Sequence, residues 1–162
     1  MFFVFLLFAL LAGSGGDQRK LEFKSGDMSS VYEESSSEFV FDGDMDTRAH
    51  SICNKEGNEI WMKLVLFKES MVIGLTVWPT HLYNINWSKR FGGTKIYVGP
   101  EGAERYCGTV TIPTEADQTS SDIICESPIL GKEVVFRQQK ESGEAACIHV
   151  FEVEAYGYSL RK

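Results

Sequence analysis

The chain carries no excess of positive charge: 16 lysines and arginines stand against 23 aspartates and glutamates, a formal −7 over 162 residues. That balance argues against nucleic acid or an anionic membrane as the main partner and leaves a cation or a neutral glycan as the better fit. No C-x-x-C pair occurs, and 53, 17 and 21 residues intervene between successive cysteines, so the close ligand pairs of a zinc site are missing. None of the three histidines, His50, His81 and His149, sits in a G-x-S-x-G, H-E-x-x-H or comparable frame, which removes the usual hydrolase constellations and points to a non-catalytic protein. No amphipathic helix stands out, no repeat of 20–50 residues is visible, and no low-complexity linker interrupts the chain after residue 38.

The first 16 residues, MFFVFLLFALLAGSGG, pair an apolar run over residues 2–12 with small residues. This is the pattern of a secretory signal peptide, too short for a membrane span, and cleavage after Ser14 or Gly16 suits the small-residue rule. Residues 17–162 are then one exported domain, with 162 − 16 = 146 residues to bury a core. Its even count of cysteines, Cys53, Cys107, Cys125 and Cys147, implies two disulfides with three possible connectivities in an extracellular setting. Asn86-Trp-Ser88 is a glycosylation sequon.

Short runs rich in Val, Ile, Phe and Tyr alternate with turn residues: FVF at 39–41, then 60–67, 71–78, 94–99, 105–112, 122–125, 132–138 and 146–158. These eight candidate strands predict an antiparallel sandwich or jelly roll whose loops carry the function. Along the last run, period-two alternation places His149, Phe151, Val153 and Ala155 on the inward face and Ile148, Val150, Glu152 and Glu154 on the other.

Two segments carry candidate chemistry. In FVFDGDMDTRAHSIC (39–53), aspartates at 42, 44 and 46 present alternate carboxylates, the hard oxygen ligands that calcium takes. An EF-hand is excluded, because the sixth and twelfth positions counted from Asp42 are Thr47 and Cys53. Asp42-Gly43 is equally a strong turn signal, and on spacing alone the turn comes first. In WPTHLYNINWSKRFGG (78–93), aromatic rings, amides and an arginine are the groups that sugar recognition uses, although a long hairpin loop with a core Trp78 explains them as well.

Taken in order, MSSVYEESSSEFVFDGD, IWMKLVLFKESMVIGLTV, RFGGTKIYVG, YCGTV, IIC, GKEVVF and FEVEAYG resemble the F-type lectin (fucolectin) family, within the discoidin-like, coagulation-factor type C group, over residues 20–158. The resemblance implies an all-β, eight-stranded antiparallel sandwich of jelly-roll type with a calcium bracing the loops at one end. Calcium ligands would fall on Phe39, Asp42, Asp44, Ile52, Phe151 and Glu152, with Ile52 standing where the family has serine. Of the family's sugar-binding residues, only Arg90 is in place. Lys55 holds the histidine position, and the Arg-x-Asp position reads Tyr83-Asn-Ile85, or falls near His81 if the loop carries an insertion. The resemblance also implies Cys107–Cys125 and Cys53–Cys147 bridges, the latter with its partner four residues before the family position at Phe151. In the chain-entropy picture they are worth about 3 and about 4.7 kcal/mol.

Two functions follow from the resemblance. One is a secreted, calcium-dependent carbohydrate-binding lectin, its site drawn from Arg90, Lys55, His81 and Tyr83, that takes glycans with fucose or another neutral sugar. The other is a protein-interaction module on the same scaffold, with calcium retained and sugar binding lost, that takes extracellular glycoproteins. Self-association into a homo-oligomer is open to either.

Overall fold

The computed structural model describes residues 18–79, 89–112, 119–141 and 143–159. The expected signal segment at residues 1–16 and His81, Tyr83 and Asn86 therefore lie outside the described residues. Nine strands are present among the described residues: β1 Arg19–Leu21, β2 Phe23–Met28, β3 Ala49–His50, β4 Ile60–Trp78, β5 Lys95–Gly99, β6 Arg105–Thr109, β7 Ser121–Gln138, β8 His149–Val150 and β9 Glu152–Ser159.

Two long strands, β4 and β7, organise the molecule. They pair antiparallel along their length, Ile60 opposite Gln138 and Val77 opposite Ser121, and every other strand of the main sheet is added to their flanks. Register slips between Val65 and Ser70, where Phe67, Lys68 and Glu69 are all exposed, so β4 bends there and serves two layers. On one side of the bend the order is β2-β4-β7-β5-β6, and on the other it is β1-β9-β4-β7. The result is an antiparallel β-sandwich.

The FVF run is not a strand. Ser36 caps a 3₁₀ helix at Ser37–Phe41, its Oγ accepting from the Glu38 amide at 3.2 Å, and that cap turns the chain toward the aspartates. The pairs of runs at 60–67 and 71–78, and at 122–125 and 132–138, are each one bent strand. The solvent-facing side chains at the bends imitate turns.

The core fills the gap between layers with Met62, Leu64, Leu66, Val72, Leu75, Val77, Ile96, Phe136 and Val153. Gly157 allows the second layer to close, since a Cβ there would lie 1.9 Å from the Met71 carbonyl oxygen. In the last run, His149, Phe151, Val153 and Ala155 are buried as the alternation predicts, but so are Ile148, Val150 and Glu152. The ladder breaks at Phe151, whose amide donates to the Trp78 carbonyl at 2.9 Å. The residues before the break pair instead with β3 in a separate two-stranded sheet. Both bridges implied by the resemblance are formed, Cys53–Cys147 and Cys107–Cys125.

Candidate functional site

The 3₁₀ helix ends at Asp42, and Gly43 follows with φ +79°, a left-handed conformation natural to glycine. Two nested turns then follow: Asp42 Oδ1 accepts from the Asp44 amide at 2.8 Å, and Asp44 Oδ1 from the Asp46 amide at 2.9 Å. The loop curls around the Thr47 hydroxyl, which lies 2.9 Å from Asp42 Oδ2, 2.9 Å from the Asp44 carbonyl and 3.4 Å from the Phe39 carbonyl. The Thr47 amide also donates to the Asp44 carbonyl at 3.3 Å, so the single hydroxyl proton is shared chiefly between Asp42 Oδ2 and the Phe39 carbonyl and cannot serve both.

Glu152 arrives from the start of β9 and accepts from the Gly43 amide at 3.2 Å. It is 5% exposed. Burial is the main force pushing its carboxyl up to about 7; the Gly43 amide and Lys20 oppose this, and nearby Asp42 adds to it. Among the described residues no three His, Cys, Asp or Glu side chains converge as a metal site. What meets at the Thr47 hydroxyl is the Asp42 carboxylate and the Phe39 and Asp44 carbonyls, with the Glu152 carboxylate on the adjacent Gly43 amide, and these are hard oxygens of the kind calcium accepts.

Of the six residues expected around a metal, Phe39, Asp42 and Asp44 meet at the Thr47 hydroxyl, Asp44 through its carbonyl, and Glu152 reaches the neighbouring Gly43 amide. Phe151 sits next to Glu152 with its ring 5.5 Å from that of His149. Ile52 stands apart from these contacts, 56% exposed, with its amide donating to Ser30 Oγ at 3.1 Å. Thr47, which the resemblance does not name, contacts Phe39, Asp42 and Asp44 instead.

Beside this loop, β3 and β8 stack their histidines, the rings of His50 and His149 meeting edge-on at 5.0 Å. The Tyr32 ring adds to His50 at 4.8 Å. Burial is the first cause holding His149 down to about 3, and His50, Arg48 and Arg90 act in the same direction. His50 is lowered as well, by burial first and then by the same two arginines, with Glu33 opposing. Arg48, Arg90 and the histidine pair thus share one corner of the molecule.

Arg90 projects from a helical turn at residues 89–91 that is fixed from beneath. The buried Gln138 amide donates to the Arg90 carbonyl at 2.7 Å and to Thr94 Oγ1 at 3.1 Å, while its oxygen accepts from the Cys147 amide at 2.7 Å. Lys55, also exposed, lies two residues from the Cys53–Cys147 bridge, and its carbonyl accepts from the Gly143 amide at 2.9 Å. Thr47, Arg48, His50 and Gln138 are the residues that sequence reasoning missed. Only the closeness of Arg48 and His50 to the aspartate run hinted at any of them.

No protein-family model and no curated protein sequence matches the chain. Solved structures match its fold. The chain is similar to a fucolectin from striped bass (Morone saxatilis) serum, with 18% identity and a TM-score of 0.67, over 88% of this chain and 50% of that one. A coagulation-factor type C domain from Bacteroides fragilis aligns over 90% of this chain and all of its own, with 19% identity and a TM-score of 0.65. A family 32 carbohydrate-binding module of C. perfringens NanJ, solved with galactose, aligns over 86% and 99%, with 17% identity and a TM-score of 0.63. The domain therefore has the fucolectin-like, discoidin-type β-sandwich fold.

Proposed function

We propose that the protein is a secreted glycan-binding module in which a calcium ion braces the loops that present Arg90. The observation that carries this reading is the oxygen cradle of Phe39, Asp42, Asp44, Thr47 and Glu152, built from two distant segments beside a corner rich in guanidinium and imidazole groups. The fold supports it, since neighbours of this shape were solved with galactose and with Lewis b antigen. Calcium would supply the positive charge that the Thr47 proton cannot provide to Asp42 Oδ2 and the Phe39 carbonyl at once. Arg90 and Lys55 would donate to sugar hydroxyls, and the arginine fork suits adjacent hydroxyl pairs. The two disulfides suit an exported protein.

A glycan array run with millimolar calcium and again with chelator tests the reading. Calcium-dependent binding of neutral, fucose- or galactose-terminated glycans that disappears in Arg90→Ala is expected. Absence of binding to every glycan at high protein density would refute it.

A further inference from the structure

The end of the sandwich away from the aspartate loop carries groups that glycan binding at Arg90 does not use. β9 runs from Glu152 beside that loop to Ser159, and its eight residues rise about 3.3 Å per step, so roughly 23 Å separates the two ends. There Ser159 pairs with Ser70, just past the corner of β4, and a cavity of about 240 Å³ opens between these serines, β1 and the corner. Its volume lies below the roughly 300–1,000 Å³ of a complete ligand pocket and suits one small ring.

The charges around this cavity are unevenly matched. Lys20 is paired with Glu154, Nζ to Oε1 at 2.6 Å. Arg19 has no such carboxylate: its Nη2 donates to Ser159 Oγ at 2.7 Å, which orients the guanidinium and leaves its other donors open. Lys68, exposed at the corner, makes no side-chain hydrogen bond or ion pair among the described residues. Ser70, 2% exposed, donates its hydroxyl to the Lys68 carbonyl at 3.1 Å and stands 3.5 Å from Ser159 Oγ. The Ser159 proton is therefore left with a contact at the limit of a hydrogen bond, and a stronger acceptor would take it. Glu22 is the one unpaired carboxylate among the described residues that line the cavity. Donors thus outnumber acceptors, as an oxyanion requires. Phe67, 56% exposed, adds an aromatic ring to the wall.

We propose that this cavity binds a single acidic sugar unit, a pyranose carrying a sulfate ester or a carboxylate. Arg19 and Lys68 hold the oxyanion, Ser159 donates to it, and Phe67 packs against the apolar face of the ring. A polyanion or an anionic bilayer fits less well, because these two cations offer one point of attachment on a protein of net charge −7. The site stands without Arg90. Together with the neutral glycan proposed for the loop end, it would let the protein join two different glycans from opposite ends.

Calorimetric titration at low salt with glucuronic acid, 6-O-sulfated N-acetylglucosamine, neutral N-acetylglucosamine and inorganic sulfate tests the proposal, and the first two arms separate carboxylate from sulfate ester. At least one acidic sugar should bind about tenfold more tightly than the neutral sugar and about fivefold more tightly than inorganic sulfate, and should weaken in about 0.5 M salt. Arg19→Gln and Lys68→Gln should each cost about tenfold, Phe67→Ala should remove the margin over inorganic sulfate, and Glu22→Gln should tighten binding about threefold. Tm should hold in all four, because these side chains are exposed, and Arg90→Ala should leave the acidic sugar bound. Acidic and neutral sugars that bind alike, or acidic binding that survives Arg19→Gln and Lys68→Gln but not Arg90→Ala, overturn the site. Inorganic sulfate that binds as tightly as the sugars, with Phe67→Ala silent, overturns the assignment to a saccharide. A protein that holds the acidic sugar and no neutral glycan supports this site and overturns the loop-end reading alone.

Discussion

At the scale of single residues, the site depends on groups whose importance is invisible in the linear chain. Gln138 closes a strand run as an ordinary polar residue, yet it is 2% exposed and ties the Arg90 turn to the Cys147 segment. Gln138→Leu leaves the Arg90 carbonyl and the Cys147 amide without their partner and should cost about 1–3 kcal/mol in a denaturant melt, with glycan affinity falling as well. Thr47 was hidden for a different reason: the resemblance pointed to Ile52, whereas the loop folds so that a residue five positions earlier meets the Asp42 carboxylate. Glu152 was expected near the aspartate run from the resemblance alone, and it accepts there from the Gly43 amide. Its raised pKa has a definite sign. In calcium-free protein, stability from the protonated form is complete below the ordinary carboxylate value and is lost as pH rises through about 7. His149, held near 3, acts oppositely: its contribution is complete above the ordinary imidazole value of 6.5 and is lost as pH falls below it. In chelator the Tm of the wild type relative to Glu152→Gln should therefore decline from the ordinary carboxylate value of 4.5 up to about pH 7 and stay level above it, since the histidines act alike in both proteins.

At the scale of elements, the two disulfides do different work. Cys107–Cys125 joins β6 to β7 across 18 positions, whereas Cys53–Cys147 pins the Lys55 segment to the chain entering β8. The double variant Cys107→Ser, Cys125→Ser should lose about 3 kcal/mol, lowering Tm by about 6–12 °C, and keep its glycan affinity. Cys53→Ser, Cys147→Ser should lose both stability and affinity. Array binding and melts of the two double variants decide the matter, and equal effects on affinity would contradict the division. The strands were legible where alternation was clean, as in β4 at Ile60–Leu66, and misread where the fold bends. Lys68, Glu69 and Ser70 have the composition of a hairpin turn, but Lys68 and Glu69 face solvent at a corner that one strand turns without ending. FVF has the composition of a strand, and the Ser36 cap made it a helical turn.

For the whole molecule, a calcium bound only by the native state raises stability by mass action. At about a hundredfold excess over its dissociation constant the gain is about 2.7 kcal/mol, or about 5–10 °C in Tm, and extracellular sites of this kind require titration to millimolar calcium. Identical melts in calcium and in chelator would remove the ion from the account. The bends of β4 and β7 have a consequence for how the chain reaches this state. Both layers are built on the same two strands, so neither can form or be lost while the other persists. Pairs such as Arg19 with Gly157 join opposite ends of the domain, and so much distant pairing makes folding slow compared with a helical protein of this length. The newly made chain thus stays open until its last strand arrives, and a chain broken off before β9 would hold neither Glu152 nor the partner of β1.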